Sequence, residues 1–283
     1  MRGALIVAHH ERAEAARLAQ SAAVWLRAHG YEVGMPPADA KALDLDELAA
    51  ERPPGEAALV ISLGGDGTML RTVDLLDGEP VPILGVNVGL LGYLSEVEPE
   101  VMTAALERIE RGDYLIDERM LLDVTCEPGG AEALTTWRAL NEAVVEKLEP
   151  GHTVRLAVSI DETPFTTYAA DGLIVATPTG STAYSLSARG PVLSPNQRAL
   201  LLTPVSPHML FDRSLVLAPD EVIEVEVIGH RPAHLAIDGH RSTTLEPGAR
   251  VICRPSAAVA RLVRFGPGRF HQILKSKFGL SDR

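Results

Sequence analysis

Residues 57–76, AALVISLGGDGTMLRTVDLL, change backbone regime twice within a few positions and plant one carboxylate at the change. Ala58 to Leu63 is an apolar run interrupted only by Ser62, the pattern of a buried strand, and from Thr68 the residues Leu70, Val73 and Leu76 return to helical spacing. Between them lie Gly64, Gly65, Asp66 and Gly67. Glycines let a backbone take φ > 0 and approach a ligand, and the amides of a helix N-terminus receive an anion, so the turn reads as a phosphate seat. A carboxylate there repels a bare phosphate. It makes sense where a metal ion, or a hydroxyl to be activated, stands between the two. A tight strand-to-helix turn with Asp66 as N-cap fits the same four residues.

Working outward, Gly3 to Ala8 reads as a first strand. Glu11 to His29 carries Leu18, Ala22, Trp25 and Leu26 at helical spacing, closed by Gly30, and Tyr31 to Val33 starts a second strand. With a short acidic helix expected near Leu43 to Ala50, this order predicts an open parallel α/β sheet. The pair His9-His10 reads as a solvated strand end before a metal-ligand pair, because adjacent side chains diverge in regular structure. After the central turn, Val81 to Val86 is another strand ending in a glycine-bearing turn, Asn87-Val88-Gly89-Leu90-Leu91-Gly92-Tyr93. Two such turns after neighbouring strands would wall one crevice at the carboxyl edge of the sheet. A helix is expected from Pro99 to Arg111, stopped by Gly112.

From Tyr114 the texture changes to short alternating or β-branched runs: Leu121 to Cys126, Trp137 to Val145, Thr153 to Ile160, Gly172 to Thr177, Val222 to Ile228 and Arg250 to Cys253. Strands at this density predict an all-β second domain, a sandwich. The expected division is residues 1–117 with 258–283 packing back as the α/β domain, and 118–257 as the sandwich. The tail adds one strand and an amphipathic helix with Lys275 and Lys277 near its end.

Composition narrows the function. Over 283 residues the formal charge is −12, which argues against nucleic-acid or anionic-membrane binding but leaves room for a small anion held by amides, arginines and Mg²⁺. Cys126 and Cys253 stand far apart in strand-like runs and read as reduced core thiols. With no secretory signal, and no apolar run of the ~18 residues a membrane span needs, a cytoplasmic location is expected.

Two further stretches carry chemistry. Asn141-Glu142 interrupts an apolar run. An Asn amide suits an adenine edge and a carboxylate suits sugar hydroxyls, while a strand end with solvated side chains is the plainer reading. Asp171 to Ser187, DGLIVATPTGSTAYSLS, runs a buried strand into a turn and a hydroxyl-rich helix start suited to ribose and phosphate. It contains no G-x-S-x-G nucleophile elbow, and the chain holds neither a Walker lysine motif nor G-x-G-x-x-G, which counts against a P-loop NTPase and a hydride-transferring Rossmann domain.

Taken together and in order, GGDGTML (Gly64 to Leu70), NVGLLGYLSE (Asn87 to Glu96), NE (Asn141, Glu142), DGLIVATPTGSTAYSLSARGP (Asp171 to Pro191) and PVSPHML (Pro204 to Leu210) resemble the NAD kinase family. GGDGT alone is shared with phosphofructokinases and lipid kinases; TPTGSTAY after NE is far more restrictive. The resemblance spans most of the chain, to the closing FGPGRFHQILKSKFG, and is loosest over 35–56 and 127–136. It implies an α/β domain followed by a β-sandwich, and transfer of the γ-phosphoryl of ATP to the 2′-hydroxyl of the adenosine ribose of NAD⁺. By position it implies Asp66 as the catalytic acid-base residue, with Gly64, Gly65, Gly67 and Thr68 shaping the phosphate turn. NAD contacts would come from Asp66, Gly67, Arg71, Asn141, Glu142, His152, Asp171, Thr182, Ala183, Tyr184 and Ser187. Mg²⁺ would be held mainly by the nucleotide phosphates, with no protein metal ligand assigned, and a homodimer or homotetramer is implied. A kinase acting on a nucleoside or lipid hydroxyl, or a dinucleotide sensor without activity, are the alternatives.

Three positions depart from the family pattern: Ala169 where a basic residue is frequent, Ala170 before Asp171 where a Gly is usual, and Arg189 in place of the first Gly of A-G-G-P. A position requiring φ > 0 tolerates Arg poorly, unless the guanidinium is aimed at a phosphate. With no cation at 169, Asp171 should leave a negative potential that favours NAD⁺ over NADH.

Overall fold

The structure, a computed structural model, describes residues 2–50, 53–90, 92–128, 133–268 and 270–280; Leu91 of the second glycine turn and Arg269 of the closing stretch lie outside them. The chain divides into two compact units, Met1–Glu118 with Ala260–Arg283, and Arg119–Val259.

The first unit contains strands β1 (Arg2–Ala8), β2 (Tyr31–Gly34), β3 (Ala57–Gly64) and β4 (Pro82–Asn87), with helices α1 (Ala13–Ala28), α2 (Pro37–Ala42), α3 (Asp66–Leu76) and α4 (Met102–Glu110). The strands are parallel in the order β2-β1-β3-β4. Residues from both faces of β3 are buried, which is why its sequence runs apolar without alternation. Alanines 15, 19, 22 and 23 and Leu26 of α1 seat against this sheet with Ile6, Ile61 and Leu84. The order reverses between β1 and β3, and a crevice outside the carboxyl ends of strands at such a switch is where open α/β sheets hold ligands.

One expectation shifts here. The helix expected near Leu43 to Ala50 lies earlier, as α2, followed by a 3₁₀ turn at Asp46–Leu48; Pro37 sets its first turn and Asp44, at φ 55, breaks the continuation. His9-His10 lies just past the end of β1 with His10 exposed, a solvated strand end as expected, and its ring nitrogens are engaged: His10 Nε2 lies 2.8 Å from buried Asp39, and the His9 ring accepts the Glu11 amide.

The second unit begins within β5 (Leu115–Glu127) and continues through β6 (Thr135–Ala139), β7 (Glu142–Lys147), β8 (Val154–Ile160), β9 (Thr163–Ala170), β10 (Gly172–Ala176), the single-turn α5 (Tyr184–Ser187), β11 (Leu200–Val205), β12 (Leu215–Leu217), β13 (Ile223–Ile228), β14 (Ala233–Ile237) and β15 (Arg241–Leu245). One antiparallel sheet has the order β12-β11-β10-β7-β14-β15. In the other, β9 pairs β8, β8 pairs β13, and β13 pairs Arg250–Cys253 of β16 (Arg250–Arg264). Val145, Leu173, Val175 and Leu235 meet Leu156, Val225, Val251 and Cys253 in one core, so the unit is a β-sandwich. Cys126 and Cys253 are free thiols in that core, and burial pushes the Cys253 thiol up to about 12. The far face of β10, Ile174 and Ala176, is covered by Ala188 and Leu193, so this strand too is buried on both sides.

The run Trp137 to Val145 is not one strand. It breaks at Leu140-Asn141, β6 joining one sheet and β7 the other. Beyond Val259, β16 continues as part of the first unit, pairing Arg261 and Leu262 in parallel with Pro82 and Ile83, before α6 (Phe270–Lys277).

Candidate active site

In the first unit the glycine turn delivers Asp66 as the first residue of α3, with Gly65 in the N-cap position. Asp66 does not cap the helix, contrary to the simpler reading of the turn. Its carboxylate reaches across to the second glycine turn, where Oδ2 accepts the Tyr93 amide at 2.9 Å and Oδ1 the Leu94 amide at 3.0 Å. Both oxygens are thereby oriented while each retains a lone pair. Gly92 permits the approach, since a Cβ there would lie 2.1 Å from Asp66 Oδ1. Around the turn, Gly64 packs on buried Thr68, whereas Gly65 and Gly67 face open space, leaving their backbone approachable by a ligand. Burial and the nearby Asp66 charge both push the Tyr93 phenol upward.

Arg71, one turn along α3, is committed within this unit. Its guanidinium donates to Asp39 Oδ2 at 2.7 Å and to the Ala8 carbonyl at 2.6 Å, at the carboxyl end of β1, and meets the His10 ring. A third of its side chain stays exposed.

In the second unit, the break between β6 and β7 is built by a residue that composition and periodicity did not single out. Asp238 accepts three amides, from Leu140 at 2.7 Å, Asn141 at 2.8 Å and Glu142 at 3.0 Å. From the other side Thr177 donates its amide to the Asn141 carbonyl and its hydroxyl to the Leu140 carbonyl. Gly180 closes against the Asn141 backbone, where a Cβ would stand 2.2 Å from the carbonyl oxygen. The NE pair and the TPTGSTAY stretch, 30 to 40 residues apart in the chain, are thus one interlocked unit. Asp238-Gly239 has the left-handed backbone of a hairpin turn between β14 and β15, which is all that an Asp-Gly pair announces in sequence.

Glu142 is buried rather than solvated. One side of its carboxyl receives the Tyr184 amide, while Oε2 is buried with no hydrogen-bond partner among the described residues. Burial first, then the adjacent Asp238 charge, push this carboxyl up to about 8. Burial also pushes Asp238 upward, against the pull of its three amides. Glu142, with an unpartnered oxygen, is therefore the member of the pair that holds a proton at neutral pH.

Asp171 opens the turn before β10 and is gripped by Lys147 at 2.5 Å. This corrects the expectation built on Ala169: the cation absent from 169 is supplied from β7, and Arg155 stands opposite Ala169 in the β8–β9 ladder. Tyr184, partly exposed, lies within the field of Glu146 and Asp171, which with burial raises its phenol. Thr182 donates to the Thr179 carbonyl at 3.3 Å, Ala183 precedes α5, and Ser187 ends it with its side chain exposed. Arg189 takes φ 66, the left-handed conformation that disfavours a side chain. His152 sits in the exposed loop between β7 and β8, with no hydrogen bond to these residues among those described.

Comparison with known proteins agrees with this layout. Residues 4–114 match the ATP-NAD kinase N-terminal domain and residues 140–265 the ATP-NAD kinase C-terminal domain. The NAD kinase of Heliobacterium modesticaldum is 39% identical, over 96% of both chains, and NAD kinase 2 of Streptomyces coelicolor is 40% identical over 99% of this chain and 95% of its own. Among solved structures, an NAD kinase from Archaeoglobus fulgidus in complex with ATP aligns over the whole of both chains with a TM-score of 0.73 at 26% identity. Yeast NADH kinase complexed with NADH aligns over all of this chain and 89% of its own with a TM-score of 0.89, at 24% identity, a likeness of fold. The chain belongs to the NAD kinase family.

Proposed function

We propose that the chain transfers the γ-phosphoryl of ATP to the 2′-hydroxyl of the adenosine ribose of NAD⁺, giving NADP⁺ and ADP. The observation that carries this reading is the Asp66 carboxylate, oriented by two amides at a helix start beside open glycine backbone instead of serving as a cap. Phosphoryl transfer through a loose transition state needs alignment and charge neutralisation more than a strong base, so a carboxylate held this firmly can orient the acceptor hydroxyl and take its proton late. Gly64, Gly65, Gly67 and Thr68 shape the phosphate turn. Asn141 and Glu142 hold the adenosine and its sugar hydroxyls, the buried Glu142 Oε2 being the open position for a hydroxyl. Asp171, Thr182, Ala183, Tyr184 and Ser187 serve the rest of the dinucleotide, with Arg71 and His152 as basic groups toward the ligands.

Mg²⁺ enters as the counter-ion of the ATP phosphates. Asp66 is the carboxylate with lone pairs to spare at the phosphate turn. A homodimer or homotetramer in the cytoplasm completes the reading.

Incubation with ATP, Mg²⁺ and NAD⁺, coupled to an NADP-specific dehydrogenase, tests it. No NADP⁺ with phosphorylation of a nucleoside or lipid would move the assignment to another acceptor. Asp66→Asn separates a kinase from a sensor: turnover should fall ~10²-fold or more with NAD⁺ affinity little changed. The substitution also turns one acceptor oxygen into an NH₂ group facing an amide N–H, so some loosening of the Tyr93–Leu94 loop is expected with it.

A further inference from the structure

Leu94 is held on both sides of its Cα, through the peptide group before it and the one after it. Its amide donates to Asp66 Oδ1, and its carbonyl accepts from Arg264 Nη1 at 3.1 Å. Arg264, at the end of β16, is buried, and it is itself clamped: Nη1 reaches Glu96 Oε2 at 3.1 Å and Nε reaches Asp117 Oδ2 at 3.2 Å. Glu96 uses its other oxygen to accept the Phe265 amide at 2.8 Å. The segment 92–96 is further tied to β4, because the Gly85 carbonyl accepts the amides of Glu96 and Val97, and Gly85 leaves no room for a side chain against Ser95. The loop that orients Asp66 is therefore suspended between β4 and one guanidinium on the last strand.

The geometry points to Arg264 as a positioning residue for Asp66, acting through the backbone on either side of the Leu94 Cα; this rests on the assignment of Asp66 as the acid-base group. The chemistry favours arginine at this place. A guanidinium stays charged when buried, and its planar fork serves a carbonyl and two carboxylates from two nitrogens in fixed directions, whereas an ammonium donates from a single point. Loss of the fork frees the Leu94 carbonyl to rotate, and the amide on the same peptide plane as the Tyr93 carbonyl loses its aim at Oδ1. The proton acceptor then wanders, and misplacement of a reacting group by a fraction of an ångström is costly in rate.

Arg264→Lys, with Asp117→Asn as control, tests the inference by steady-state kinetics and amide hydrogen exchange on the full chain. Asp117→Asn removes an anchor of Arg264 but leaves its contact to Leu94. For Arg264→Lys the expected result is a kcat lowered 10- to 100-fold, KM for NAD⁺ within threefold, and exchange of the Tyr93 and Leu94 amides at least tenfold faster. The control should keep kcat within threefold and those amides protected. If Arg264→Lys does not fold, Glu96→Gln carries the same test, since Glu96 holds Nη1, the nitrogen that reaches the Leu94 carbonyl, whereas Asp117 holds only Nε. Overturning results are a wild-type kcat, a fall in kcat without faster exchange at Leu94, or an equal fall in the control. The underlying assignment fails separately, when Asp66→Asn leaves turnover unchanged.

Discussion

A Cβ built on Gly92 stands 2.1 Å from Oδ1 of Asp66, so the second glycine turn is shaped around the carboxylate of the first. Gly92→Ala can fold only by pushing Asp66 off its two amides. The expected outcome is a thermal midpoint within a few degrees of wild type and a kcat reduced by about 10²-fold, measured by calorimetry and the coupled assay. Gly67→Ala is the counterpart. Its Cβ meets nothing within 4 Å, so the helix start should gain up to about 1 kcal/mol. On the proposal that the phosphates approach this backbone, KM for ATP should nevertheless rise tenfold or more. An unchanged KM would place the phosphates elsewhere.

Stability should carry the signature of Glu142. With its carboxyl pushed up to about 8, the folded chain keeps a proton that the unfolded chain releases from its ordinary value of 4.5 upward. The contribution of this group is therefore at its best below the unfolded value, declines as pH rises toward about 8, and is level beyond. Glu142→Gln, which cannot ionise, should match wild type near pH 5 and exceed it at pH 8.5 by on the order of a few kcal/mol, while NAD⁺ binding weakens. Parallel denaturation midpoints across that range would show that Glu142 does not titrate with folding.

Arg189 holds φ 66 with an exposed guanidinium that has no side-chain partner among the described residues. A non-glycine residue there costs about 1 kcal/mol, so Arg189→Gly should raise the melting temperature by a few degrees. KM for NAD⁺ should rise severalfold, since the strained position is next to Tyr184 and Ser187, the residues proposed to contact the dinucleotide. A stabilised variant with unaltered KM would mean that the strain serves no ligand.

Lys147 pairs with Asp171, the residue proposed to face the nicotinamide end of the acceptor, and so sets the charge there on that proposal. One unit charge ~6 Å away at an effective dielectric of ~20 is worth up to roughly 3 kcal/mol before screening, and the lysine cancels most of it. Wild type should discriminate between NAD⁺ and NADH by less than about tenfold in kcat/KM. Lys147→Gln, which leaves Asp171 uncompensated, should move the ratio severalfold toward NAD⁺; an unmoved ratio would place Asp171 away from the ring.

Much of the architecture is written in local pattern. The regime change at residues 57–76 is a strand and a helix with Asp66 between them, and the alternating runs after Tyr114 are strands of a sandwich. Strands β9, β11, β12, β14 and β15 are not legible in local pattern, because they are short or Pro, Thr, His and charged residues dilute their alternation, and their place in the sheets is set by neighbours in space. The break between β6 and β7 was illegible for the same reason: nothing in Arg138 to Val145 says that the run changes sheets, and the Asp238 carboxylate that bends it lies nearly a hundred residues on.

By itself the sequence determines where backbone must be glycine, where apolar residues line strands and helices, and which side chains stand at the turns; all of these follow from sterics and periodicity over a few residues. Only the tertiary structure decides what each carboxylate does. Asp66 is oriented by amides from residues 93 and 94, Glu142 is left with a buried oxygen beside Asp238, and Asp171 is neutralised by Lys147. Charge state and orientation depend on groups within a few ångströms in space, and those groups come from 24 to 98 positions away along the chain.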